Sequence, residues 1–292
     1  MRRNVLILAG IAMMLAIVLS IGSQLTGFSV FSANDPISIQ GSQFPSNRFF
    51  YLAEEMGFFD EEGVDVVIKE IPDEQAVQAF AAGELDFLHL SPDWYAIVRS
   101  QGVQGKQLML FEIASAAEGM AVSKDIDSLS DLKGKRVAVW EGTILHFQLL
   151  LMLEAGNISE KDIEIISLPP DAAMIAFISE DVDAAAAYEP WLSQYKERAG
   201  AKLLYTDKDM PLEIVSSLVA SDEVLHERPE DVSAFLRGFF RAVAFYRDHP
   251  DEANEIMGRS IGISADDFKF FMDRTKVLDY NESMGLVRDG SM

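Results

Sequence analysis

Three short stretches bring acidic, hydroxylic and aromatic side chains to places where a strand hands over to a helix. They are Ser91-Pro92-Asp93-Trp94, Glu141-Gly142-Thr143 followed by His146, and Tyr188-Glu189-Pro190-Trp191. Side chains of these types suit recognition: helix starts offer unpaired N–H groups, carboxylates hold cations, and aromatic faces stack on rings. Signals for catalysis are poor. The 292 residues contain no cysteine, which excludes thiol nucleophiles, disulfides and thiolate metal sites. The histidines, His89, His146, His226 and His249, form neither HExxH nor a close pair, so no metal site is expected. No GxGxxG, P-loop or GxSxG pattern occurs either. We expect no catalytic residue and no cofactor.

Each candidate also has a plain structural reading. Asp93 and Glu189 fall in first helical turns, where a carboxylate gains about 0.3–1 kcal/mol from the dipole. Ser91 and Thr143 suit N-caps. Trp94 and Trp191 suit packing, and His146 suits a hydrogen-bonded site one turn into a helix. Both readings stand at the level of sequence.

The elements that must position these residues form one pattern used twice. "ISIQG" (37–41) leads to a helix ending near Gly57, "VDVVIKEI" is a strand, and a short helix closes at Gly83. "LDFLHLS" then runs into Pro92, tolerated at a helix start because its missing N–H would be unpaired there anyway. Later, "VAVWEG" leads to a helix ending at Gly156, "IEIISL" is a strand, "PDAAMIAFISE" a helix, and "VDAAAAYEPW" repeats the strand-into-proline step. Ala79-Phe80, Leu85-Asp86 and Trp94 match Ala176-Phe177, Val182-Asp183 and Trp191 at a constant offset of 97. Strands alternating with helices, repeated, predict an α/β fold of two similar lobes with a ligand cleft between them. Gly142 is expected to let the backbone approach a ligand with free N–H groups. Phe147, Leu150, Leu151 and Leu153 are expected as the core stripe of the helix that follows.

The net charge is −23, from 24 basic and 47 acidic residues, which disfavours nucleic acid and anionic lipid as partners. Arg2 and Arg3 precede an apolar run from Val5 to Ile21, about 17 residues long. That is the pattern of a secretory signal or a membrane anchor. The Ala33 cleavage candidate has Phe31 at its −3 position, which favours the anchor. Residues 1–35 are read as this segment, and the body as exported.

Beyond Pro36, five stretches resemble a known family: "GFFDEEGVDVVIKEI", "AFAAGELDFLHLSPDW", "SLSDLKGKRVAVWEGT", "VDAAAAYEPWLS" and "HERPEDVSAFLRGFFRAVAFYRDHPDEA". They are similar to periplasmic solute-binding proteins of ABC importers, in the nitrate, sulfonate, taurine and thiamine-pyrimidine precursor branch. The likeness covers about 37–253. Two departures stand out: a lipid-attachment cysteine gives way to the apolar run, and the chain is expected to stop short of a last helix.

The resemblance implies a type II-like periplasmic binding fold with two crossover segments, "FEIASAAEGMAV" and "MPLEIVSSLVAS". Lobe 1 would comprise 36–117 and 216–292, and lobe 2 would comprise 118–215. It implies a monomer that closes on a small molecule and delivers it to a membrane permease; a tethered sensor signalling through a partner is the alternative. The same fold serves some enzymes, one dependent on a cysteine-rich motif that this chain lacks. Carried over as positions, the ligand contacts would be Gln43, Phe44, Ser46, Asn47, Ser91, Asp93 and Trp94 from lobe 1. Lobe 2 would add Glu141, Gly142, Thr143, His146, Tyr188, Glu189 and Trp191, and the crossover Ser115 and Glu118. Four acids (Asp93, Glu118, Glu141, Glu189) against one nearby base, Arg48, disfavour a bare anion. A taurine-like zwitterion or an aminopyrimidine stacked on Trp or Tyr fits better.

Overall fold

The computed structural model describes residues 35–42, 44–209 and 215–289. The apolar run, Gln43 and part of the second expected crossover lie outside them. Among the described residues no helix is long and apolar enough to cross a membrane.

Eleven strands form in this region: β1 (Ile37–Gly41), β2 (Val66–Glu70), β3 (Phe87–Leu90), β4 (Lys106–Ala114), β5 (Glu118–Val122), β6 (Arg136–Val139), β7 (Glu164–Ser167), β8 (Ala184–Tyr188), β9 (Lys202–Thr206), β10 (Val215–Ala220) and β11 (Thr275–Val277). They make two sheets, ordered β11-β4-β10-β3-β1-β2 and β7-β6-β8-β5-β9. In each sheet three parallel strands meet an antiparallel fourth: β2-β1-β3 meets β10, and β7-β6-β8 meets β5. The fourth strand of each sheet comes from the chain's passage between sheets, which occurs between β4 and β5 and again between β9 and β10. The fold is therefore α/β with two similar sheets, as the repeat predicts, joined by two crossovers, as the resemblance implies.

Both faces of each sheet are covered, so the strands read as continuous apolar runs. Along β8, Ala184 and Ala186 pack with Leu145 and Leu149, while Ala185 and Ala187 pack with Met174 and Phe177. Alanine is a poor strand former, but large side chains arriving from both sides leave room for nothing bigger. On the first sheet, the helix Pro229–Asp248 inserts Phe235, whose ring stacks 4.4 Å from Phe87 and 5.1 Å from Phe59. Burying one such side chain contributes about 1.5–3 kcal/mol.

The repeat extends to hydrogen bonds. Asp86 Oδ2 accepts from the Ser38 N–H at 2.7 Å, and Asp183 Oδ2 accepts from the Arg136 N–H at 2.8 Å. Each aspartate ties the entry of its lobe's third parallel strand to the first. Gly119 answers a different need: a Cβ there would strike the Tyr205 carbonyl, so glycine lets β5 lie against β9 beside Glu118.

In the helix Ile144–Ala155 the expected core stripe holds at Leu153, is half-buried at Leu150 and Leu151, and fails at Phe147. Its buried residues are Ile144, Leu145, Gln148, Leu149 and Leu153, whereas Phe147 is 41% exposed. The segment ILHFQLLLMLEA is apolar nearly all round, so no polar face marks which side faces water. The buried Gln148 is there because it meets Glu118.

Candidate functional site

The carboxyl ends of the parallel strands from both sheets face one another across two adjoining cavities. This is where open α/β sheets place ligands. The inner cavity, about 70 Å³, takes Gln40, Ser42 and Phe44 from the end of β1 and His89, Leu90, Ser91 and Trp94 from the end of β3. Val215 and Ser216 of β10 complete that side; Glu118, Ile144 and Tyr188 come from the other lobe. The outer cavity, about 320 Å³, shares Ser42 and Tyr188 and adds Glu70, Ile71 and Pro72 opposite Trp140, Pro169, Pro170, Asp171 and Trp191. Two aromatic pairs span the cleft. Phe44 meets Tyr188 edge-on at 5.4 Å, and Trp94 meets Trp140 edge-on at 5.4 Å. Rings reaching across the cleft bring the two lobes into contact while leaving the cavities open between them.

Beneath the inner cavity the chain buries carboxylates where it crosses between sheets. Glu118 is 4% exposed and accepts from Gln148 Nε2. Burial, then the nearby Asp207, pushes its pKa up to about 8, with Glu112 and Asp93 adding to the rise and Gln148 opposing it. Glu112 is fully buried and accepts from Ser46 Oγ and, at 2.8 Å, from Ser216 Oγ. Burial carries it up to about 7 against those hydrogen bonds. Asp207 is also raised by burial; the N–H groups of Ala116, Ala117 and Glu118 pull it back without closing well-formed hydrogen bonds. His89 is held down to about 4 by burial and is neutral, its Nδ1 3.4 Å from Asn47 Nδ2. The cleft floor thus gathers buried carboxyl groups whose pKa values burial raises, Glu118 furthest.

The structure sorts the sequence candidates into three groups. Phe44, Ser91, Trp94, Glu118 and Tyr188 line the inner cavity, and Tyr188 and Trp191 the outer one. Ser46 and Asn47 stand one layer behind: Ser46 holds Glu112, while Asn47 accepts from the Ser42 N–H at 3.2 Å and steadies His89. The remaining described candidates line neither cavity. Asp93 and Glu141 are exposed. Glu189 accepts from both the N–H and Oγ of Ser193, at 3.1 and 2.8 Å. Ser115 spends its N–H on the Arg274 carbonyl at 2.7 Å. Gln43 lies outside the described residues.

The expectation of free N–H groups at Gly142 does not hold. The Gly142 N–H donates to His146 Nδ1 at 3.2 Å, and Thr143 Oγ1 donates to the Trp140 carbonyl at 2.7 Å. Gly142 sits at φ +77° with open space where a Cβ would lie. Backbone conformation, with no close neighbour, is what requires glycine there. The turn closes on itself and presents Trp140 and Ile144 to the cleft.

Sequence reasoning missed Gln40, Ser42, Glu70, His89, Trp140, Pro169, Pro170, Asp171 and Ser216 on the walls, and Glu112 and Asp207 beneath them. Trp140 carried a usable signal. It ends its strand in lobe 2 as Gln40-Gly41 end β1, and strand ends are where this architecture puts ligands.

A family model described as NMT1/THI5 like matches residues 45–253. A Bacillus subtilis (strain 168) protein assigned to aliphatic sulfonate binding is 29% identical over 227 residues, 75% of this chain and 67% of that one. The taurine-binding periplasmic protein of Escherichia coli (strain K12) is 28% identical over 177 residues, 60% of this chain and 55% of that one. The alkanesulfonate-binding protein of Xanthomonas axonopodis pv. citri, solved bound to MOPS, matches in fold at TM-score 0.72 and 20% identity, covering 85% of this chain and 88% of that one. These relatives are binding proteins. With the family match spanning most of the chain and the two-sheet cleft in place, the chain belongs to the NMT1/THI5-like family.

Proposed function

We propose that this chain is the solute-binding component of an ABC importer, working on the outer side of the cytoplasmic membrane. It takes up a small organic solute that carries an amine, of the taurine type or an amine-bearing heterocycle, and passes it to a membrane permease. The reading divides the chain into an export or anchor segment (1–35), one lobe (36–117 with 216–292) and a second (118–215). It makes Phe44, Ser91, Trp94, Glu118, Tyr188 and Trp191 the ligand-facing residues. The observation that carries it is the pair of adjoining cavities walled by both sheets and bridged by aromatic pairs. The inner cavity, mostly apolar and aromatic with a few polar groups, suits small-molecule capture. The names of the sulfonate and taurine relatives support the importer role.

The test is calorimetric titration with taurine, an alkyl sulfonate, nitrate and an aminopyrimidine, followed by a thermal-shift panel of small amines and sulfonates. Saturable binding of one class is expected, with a tryptophan fluorescence change. A ligand at 100 times its Kd should add about 2.7 kcal/mol to folding stability. Trp191→Ala should weaken that ligand about tenfold, or ~1.4 kcal/mol, with an unchanged circular dichroism spectrum. A panel in which nothing binds would remove the reading, and wild-type affinity in the variant would remove Trp191 from the site.

A further inference from the structure

We propose that the solute is cationic and has no anionic end: an aryl or heteroaryl amine or amidine, its positive nitrogen seated in the inner cavity against Glu118 and its ring in the outer one. This rests on the solute-binding reading above and narrows it.

The walls carry acids and no base. Among the described residues lining the two cavities there is no lysine or arginine, whereas Glu70, Asp171 and Glu118 are present. Arg48 is the guanidinium behind this wall. It is 1% exposed, donates to the Ser42 carbonyl and stands 3.9 Å from Glu70, so its charge is opposed and lines neither cavity. A sulfonate would find no cation to meet.

Two of the helix starts at the cleft do not replace one. The helices Pro92–Ser100 and Pro170–Ile178 both open at the cleft with Pro-Asp. Proline at the first position removes an N–H that an anion would use, and the aspartate places a negative charge at the same end of the helix. The same dipeptide in both lobes makes the effect two-sided.

The inner cavity has the complement of a positive nitrogen. The ring faces and edges of Phe44, Trp94 and Tyr188 surround it, and aromatic faces attract desolvated cations. Ser91 Oγ is shielded from solvent and has no hydrogen-bond partner, leaving an acceptor aimed at no protein group. About 70 Å³ suits a head group, and the outer 320 Å³ lies at the lower end of the range for small organic ligands, about 300–1,000 Å³. Trp140 and Trp191 provide planar walls there.

Glu118 accepts from Gln148 and shares the inner cavity with His89, Tyr188 and Ser91, and the acids Asp207, Glu112 and Asp93 act on it; none of these groups is a standing cation. An arriving cation therefore replaces the proton that burial keeps on Glu118, and that proton leaves for solvent. Affinity should rise with pH across the neutral range.

The test uses the full chain in mild detergent, titrated with benzamidine and 4-aminopyridine as cationic probes, taurine as zwitterion and benzenesulfonate as anion. Proton release is followed with an indicator dye in weakly buffered solution. The expected result is binding of a cationic probe with proton release, and at least about tenfold weaker binding in Glu118→Gln. Glutamine imitates the protonated acid and keeps the Gln148 contact, so folding should survive. Should the variant not fold, proton release by the unaltered chain decides, and its absence overturns the proposal. Tighter binding of benzenesulfonate or taurine than of either cation overturns the charge assignment and leaves the solute-binding reading intact. Binding by no probe of any charge, in titration or thermal shift, counts against both.

Discussion

Asp86 and Asp183 reach back to the first strand of their lobes and accept from its backbone, and the surroundings set how much each bond matters. Asp86 is 3% exposed and holds both the N–H and the Oγ of Ser38, at 2.7 and 2.8 Å. Removing the carboxylate would leave two buried donors unpaired, at about 1–3 kcal/mol. Asp86→Ala should lower unfolding stability by that amount in urea titration, and Asp183→Ala by less, because the Asp183 side chain is 26% exposed and its ion pair with Arg136 is solvated. Equal losses would show that burial does not separate the two. The Leu-Asp and Val-Asp pairs were visible as a repeat; that their carboxylates clamp the strands was not, because the partner backbone lies 48 and 47 residues away.

At the scale of elements, the turn from β6 into the helix Ile144–Ala155 decides which residues reach the cleft. Its glycine at φ +77° lets the chain reverse tightly, and the N–H then caps onto His146. Gly142→Ala would force an L-residue into that conformation, costing about 1 kcal/mol, which denaturant melts would register as a lower midpoint with unchanged slope. No loss would mean the turn relaxes to a negative φ. The sequence marked the turn through its glycine. It did not mark the hydrogen bond that occupies the turn, because whether His146 points back or outward is a rotamer choice set by neighbours such as Glu160, 3.7 Å from its Nε2.

For the molecule as a whole, the buried acids make stability depend on pH in an unusual direction. Folding raises Glu118 to about 8 and Glu112 to about 7 from an ordinary value of 4.5, so the folded state holds protons that the unfolded chain has lost. A raised carboxyl stabilises the fold at low pH and loses that contribution as pH climbs through its folded pKa. His89, lowered to about 4 from 6.5, acts oppositely but only below its unfolded value. In the ligand-free chain the melting temperature should therefore fall from about pH 4.5 to about pH 8, less steeply below pH 6.5 where His89 opposes the acids. Glu118→Gln should flatten the fall. A melting temperature that climbs through this window would mean the acids are ionised and paired by groups outside those described.

What the sequence determined by itself is the architecture. Apolar runs, helix stops and the 97-residue offset are local patterns, and local patterns suffice for two α/β lobes whose strand ends meet. Tyr188 and Trp191 were legible for that reason, as residues at a strand end. Only the tertiary structure decided the chemistry of the cleft. Trp140, Pro169, Ser216 and Gln40 become neighbours when two sheets face each other, and burial with the nearby Asp207 raises Glu112 and Glu118 because the chain crosses between sheets at both places. Burial and electrostatic coupling are properties of distance in space, and a sequence records distance only along the chain.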